Sequence, residues 1–264
     1  MNRLGEQAMN KLLGTALAAT TLSLASHAAF ASDDVRESRP VDAKVTKVKL
    51  GGVIGVVVRQ GATPSLVISG DKAGVARVTT RQHGDTLEIS TEDRSGMHFG
   101  WNNEKMRAEL TVPNLEEFVS LGVGSSTVTG FAGDHVKVSL EGAGSLTMDG
   151  RYRNVDARLG GVGSFTLEDK DADRIDLRMG GAGRMTIIGQ AKVLNGHMSG
   201  VGSLDAAKLR ADAVELDMSG MGSANVFAQT SVNLSLSGLG SASVYGNPAS
   251  RNARTSGLGK VSWK

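Results

Sequence analysis

The sequence predicts an all-β fold: a β-solenoid of the single-stranded β-helix type, with a less regular β part ahead of it. Three observations carry this. A Gly-x-Gly step recurs eight times in the second half of the chain, 18–20 residues apart. Apolar residues alternate with polar ones on both sides of each step, and a period of two marks a strand with one buried face. The repeat changes length at one place only, as stacked coils require if insertions leave the ladder at a single edge.

Residues 1–31 read as an export signal. Arg3 and Lys11 give a basic start, Leu12 to Ala25 a short apolar run, and Ala29-Phe30-Ala31 a small-x-small cleavage site. Cleavage is expected between Ala31 and Ser32. The run is shorter than the ~20 apolar residues that span a bilayer, so no transmembrane segment is expected after cleavage. Residues 32–40 are polar, end in Pro40 and read as a flexible leader. Residues 41–264 read as one solenoid domain, of which 41–113 is irregular. There, Val53–Val58, Leu66–Ile68 and Ala108–Val112 are β-rich runs, and His83-Gly84-Asp85 is a hairpin turn. This part is either degenerate coils of the same solenoid or a small β cap. Residues 93–106 read as a loop carrying His98, Phe99 and Trp101.

Residues 114–264 hold the regular repeats. The corner glycines are Gly122 and Gly124, Gly142 and Gly144, Gly161 and Gly163, Gly181 and Gly183, Gly200 and Gly202, Gly220 and Gly222, Gly238 and Gly240, and Gly257 and Gly259. Before the step, columns such as Val155, Ile175 and Leu194, or Leu159, Met179 and Met198, face one way. After it, Leu146, Phe165, Met185 and Leu204 form another column, and Met148, Leu167 and Ile187 a third. Glycine suits a corner because it accepts φ > 0. The residue between the glycines is apolar in all eight copies, which predicts that it points inward and fills the bend. A second, looser corner is predicted at Gly130, Gly150, Asp169, Gly189, Lys208, Ala228 and Gly246.

Composition narrows the function. There is no cysteine among the 264 residues, so disulfides, thiol catalysis, zinc–thiolate sites and a lipid-bearing cysteine are excluded. The formal charge of +2 gives no basic excess for nucleic acid. Phe165, Leu146 and their column stand where a calcium-binding nonapeptide needs aspartate. The glycine steps open strands rather than helices, unlike a dinucleotide fingerprint. His83, His98, His135 and His197 are scattered, so neither a metal nor a cofactor is expected.

The export signal, the segment Ser65–Asp71, the hairpin strand Asp85–Ile89 and the Gly-x-Gly-Ser turns together resemble the putative auto-transporter adhesin head, or GIN domain, family over about residues 41–264. The resemblance implies a β superhelix, a role in cell adhesion and no catalytic residues.

Two surfaces are candidates for contact. One is a flat hydroxyl-rich strip: Thr127, Thr147, Thr166 and Thr186, continued by Asp205, Asn225, Ser243 and Ser262, beside Ser125, Ser145, Ser164, Arg184, Ser203, Ser223, Ser241 and Lys260. It reads either as β-propensity and solubility or as a face for a glycan or cell-surface ligand. The other is the Phe99–Trp101 loop, a sugar platform or a cover for an open core. Glu168, Asp169, Asp171, Asp173 and Asp176 are the densest acidic group, read as a polar turn rather than a glycosidase pair. The leading expectation is an exported, non-catalytic, adhesin-like protein in the periplasm or on the surface of a Gram-negative-type bacterium. The alternatives are a self-associating envelope scaffold and a polysaccharide-active enzyme.

Overall fold

The computed structural model describes residues 34–92 and 106–264. Eight short strands come first: β1 (Asp34–Arg39), β2 (Lys47–Leu50), β3 (Gly55–Gln60), β4 (Ser65–Asp71), β5 (Val78–His83), β6 (Thr86–Thr91), β7 (Arg107–Val112) and β8 (Glu117–Ser120). Six long ones follow: β9 (Val123–Leu140), β10 (Ala143–Leu159), β11 (Val162–Met179), β12 (Ala182–Met198), β13 (Val201–Met218) and β14 (Met221–Leu236). β15 (Leu239–Tyr245), β16 (Ser250–Thr255) and β17 (Lys260–Trp263) complete the sheet. Among the described residues the helix α1 (Lys72–Val75) is a single turn, and none is long and apolar enough to cross a membrane.

Each long strand bends through both limbs of a coil and lies parallel to the next, glycine on glycine and serine on serine. The register slips only at the second corner, for example between Gly150 and Asn154 and between Asp169 and Ala172. The expected solenoid with one tight and one loose edge is therefore the observed fold. Leu146, Phe165, Met185, Leu204 and Ala224 form a fully buried column, and Met148, Leu167, Ile187 and Ala206 another. Each large side chain so buried contributes about 1.5–3 kcal/mol, which compensates for the lack of disulfides. The second corner adds buried residues that the sequence did not announce: Phe131 and Tyr152, and a column of Ala172, Ala191, Ala211 and Ala228.

The irregular part combines parallel coils with an antiparallel cover. β2 lies between β6 and β8, and β3 between β7 and β9, all parallel. Residues 47–60 are thus a coil stacked directly under the first regular repeat. Val123 donates its N–H to the Gly52 carbonyl at 2.7 Å, as Ala143 does to Gly122 at 3.0 Å. β6 and β7 form the coil beneath that. Antiparallel strands then cover the edge, β5 on β6, β4 on β7 and β1 on β4. The leader read at 32–40 is, over Asp34–Arg39, the strand β1. Its charged residues Asp34, Arg36, Glu37 and Arg39 suit an edge that must not recruit another chain.

One packing expectation is overturned. The residue between the glycines points outward: Val123, Val162, Val201, Met221, Leu239 and Leu258 are 51–87% exposed. The alternation explains it. Phe165 faces inward, so Gly163 two residues earlier lies on the inward side, and Val162 between the glycines must face out. The glycines are required by close approach more than by conformation. A Cβ on Gly181 would overlap the Gly161 carbonyl oxygen, and one on Gly183 the Gly163 carbonyl oxygen. Gly183 has a positive φ of 152° as well, but Gly181 does not.

Candidate binding surface

The strand register sets the residues of the hydroxyl strip on successive rungs. Thr127, Thr147, Thr166 and Thr186 occupy successive rungs, followed by Asp205, Asn225, Ser243 and Ser262. The column beside it runs Ser125, Ser145, Ser164, Arg184, Ser203, Ser223, Ser241 and Lys260. Adjacent rungs of a ladder are about 4.8 Å apart and alternate residues of a strand about 6.6 Å, so the strip is a flat lattice of small polar groups. Thr147 is exposed, and its neighbours above and below are half-covered by the stack.

The face on the other limb is a web of ion pairs. Arg158 meets Glu141 at 2.8 Å and Arg174 meets Asp176 at 2.8 Å, while His135 meets Asp156 at 2.9 Å. Asn195 donates its Nδ2–H to Asp176 at 2.9 Å. Burial opposes ionisation of Asp176, but Arg174 and Asn195 outweigh it and hold the carboxyl below its ordinary value.

The acidic corner is built into the turn. Asp169 is fully buried; its carboxylate accepts the Tyr152 N–H at 2.8 Å and the Asp171 N–H at 3.1 Å. Burial pushes its pKa up, and the two N–H donors offset part of that rise. Asp173 lies between Lys192 at 2.6 Å and Arg153 at 3.0 Å, which lower its pKa. Tyr152 points inward and donates its hydroxyl to the Leu115 carbonyl at 2.7 Å; burial raises its pKa. These groups cap backbone and neutralise one another. A hollow of about 280 Å³ beside Tyr152, lined by Leu115, Glu116, Gly133, Asp134 and His135, is small for a ligand pocket.

Ala31, Ser32, Phe99 and Trp101 lie outside the described residues. The structure does show a surface that the sequence reading turned the wrong way, the exposed apolar row at the tight corner. Carrying the alternation through the second glycine would have found it.

Residues 44–248 match the family described as "Putative auto-transporter adhesin, head GIN domain". No curated protein matches. Among solved structures, a putative adhesin from Bacteroides fragilis superposes with a TM-score of 0.64 at 23% identity, over 88% of this chain and 97% of that one. A putative adhesin from Parabacteroides merdae gives 0.77 at 17%, over 89% and 97%. A protein from Parabacteroides distasonis described as a putative lipid binding protein gives 0.71 at 17%, over 88% and 97%. At these identities each likeness is one of fold.

Proposed function

This chain belongs to the putative auto-transporter adhesin, head GIN domain family, and on that premise we propose that it is an exported, non-catalytic binding protein of the cell envelope or surface. Its contact face is the hydroxyl strip, and its ligand a glycan or another repetitive cell-surface polymer. The observation that carries this reading is the register: identical small polar residues repeat at the spacing of the ladder. A repeating ligand can meet equivalent groups on several rungs, each weak contact adding to the last. The involvement of Asp169, Asp173 and Asp176 in caps and ion pairs supports a non-catalytic role. Export rests on Arg3, Lys11 and the Ala29-Phe30-Ala31 site.

The test is a glycan array together with whole-cell adhesion, using the double variant Thr147→Lys, Thr166→Lys. Both side chains lie on the outer face, so the core columns stay intact while two bulky cations break the flat lattice. Adhesion is expected to fall at least tenfold. A folded variant that adheres as well as the parent removes the strip from the proposal.

A further inference from the structure

The tight-corner row changes character along its length. It reads Val123, Ala143, Val162, Ala182 and Val201, then Met221, Leu239 and Leu258. The last three are the longest aliphatic side chains of the row, and Leu258 is the most exposed large hydrophobic residue among those described, at 87%. Charge changes at the same point. No Asp or Glu follows Asp217, while Arg251, Arg254, Lys260 and Lys264 do. The whole chain carries only +2, so positive charge is concentrated here. Lys260 and Arg254 stand on either side of Leu258, one in register with Ser241 and the other with Ser235.

We propose that this stretch of the corner, Met221, Leu239 and Leu258 with Arg254, Lys260 and Lys264, docks on an anionic lipid bilayer. Long aliphatic side chains flanked by bases make an interfacial surface: the aliphatic tips enter the acyl boundary and the bases meet lipid phosphates. A second copy is the poorer occupant. The row is one residue wide, well short of the ~800 Å² that each partner of a stable pair buries, and like patches would set bases against bases. An anionic glycan would answer the bases but leave Met221, Leu239 and Leu258 in water. The inference does not rest on the adhesin reading: Lys260 alone is shared with the column beside the hydroxyl strip, and none of the strip's threonines takes part.

Flotation with vesicles tests it. Protein recovered from an expressing bacterium, in whatever processed form it takes, is mixed with vesicles of equal parts phosphatidylglycerol and phosphatidylcholine, or of phosphatidylcholine alone. Any contribution of the leader is common to every variant. Binding is expected to the anionic vesicles and to weaken as salt shortens the screening length. Arg254→Gln with Lys260→Gln should weaken partitioning about 25-fold, since each base near an anionic surface is worth roughly fivefold. Leu239→Ser with Leu258→Ser should weaken it at least about tenfold. Val123→Ser with Val162→Ser, on the same row but distant from the bases, should bind as the parent does. Equal binding to both vesicle types overturns the proposal, as does parental binding by the base or leucine variants. Capture of soluble alginate without vesicle binding overturns it in favour of an anionic polysaccharide. The threonine variants are read in the separate adhesion assay, so either proposal can fail alone.

Discussion

Gly181→Ala adds one carbon in the middle of the stack, and that carbon has nowhere to go. It would meet the Gly161 carbonyl oxygen, which accepts the Ala182 N–H at 3.0 Å, while Gly180 and Gly181 both donate to Leu159 at 3.0 Å. On the far side Val201 donates to the Gly181 carbonyl at 3.1 Å. Making room must stretch two to four of these bonds. At about 1 kcal/mol each, less the 0.4–1 kcal/mol that Gly→Ala returns by stiffening the unfolded chain, the loss should be about 1–3 kcal/mol. For a chain of this size that corresponds to a fall in Tm of roughly 3–10 °C. Two controls separate the causes. Gly84 has a φ of 61° but nothing within 4 Å of an added Cβ, so Gly84→Ala isolates conformational strain, about 1 kcal/mol. At Gly257 the Cβ would come within 2.5 Å of the Gly238 oxygen, but no coil stacks beyond it among the described residues, so Gly257→Ala should cost less than about 1 kcal/mol. Urea melts of the three variants provide the measurement. A Gly181→Ala loss no larger than the other two would refute close approach as the reason for the corner glycines.

Ser126 stands in a buried apolar column between Val56 and Leu146 with no partner for its hydroxyl among the described residues, so Ser126→Ala should stabilise by about 1 kcal/mol in the same melts. A loss instead would show that the hydroxyl is satisfied. Asp169 and Asp173 should respond to pH in opposite directions. The folded pKa of Asp169 is raised above the ordinary 3.8, so between those values the folded state binds the extra proton and stability falls as pH rises. The parent should therefore gain on Asp169→Asn as pH drops from neutral toward about 4. Asp173 has a lowered pKa, so its contribution is complete above 3.8 and is lost as pH falls through the folded value. The parent's advantage over Asp173→Asn should shrink there, and urea midpoints at several pH values that move together would contradict both assignments. Mass spectrometry of the natively expressed protein should find Ser32 as the first residue. An intact Met1 in the cytoplasm would remove export.

The regular coils were legible because neighbours in space are neighbours in sequence, one period apart. Thr147 and Thr166 could be placed side by side by counting from their glycines. The same arithmetic failed at residues 41–113, because β2 pairs with Glu117–Ser120 rather than with the next run along the chain. Gly52 holds the corner position of that coil, but nothing periodic points to it. The outward turn of Val162 and Leu239 was missed for a different reason. Apolar character suggested burial, whereas strand alternation, the stricter geometric constraint, decides the side.

The insertion of residues 47–60 beneath the first repeat separates the two ends of the molecule from its middle. Closing Lys47 onto Glu117 spans about 70 residues against about 20 for a regular coil, an added loop-closure cost near 1 kcal/mol. Folding that begins among the repeats and closes the amino-terminal assembly late would follow from this, and so would a freedom of length. A whole repeat can be duplicated or lost between β10 and β14 without touching the out-of-order coils or the last ones. Each such event changes the reach of every surface column by one rung, about 4.8 Å, and leaves its chemistry unchanged. The protein is thus a ruler whose fittings are fixed and whose scale can be cut to the distance it has to cover.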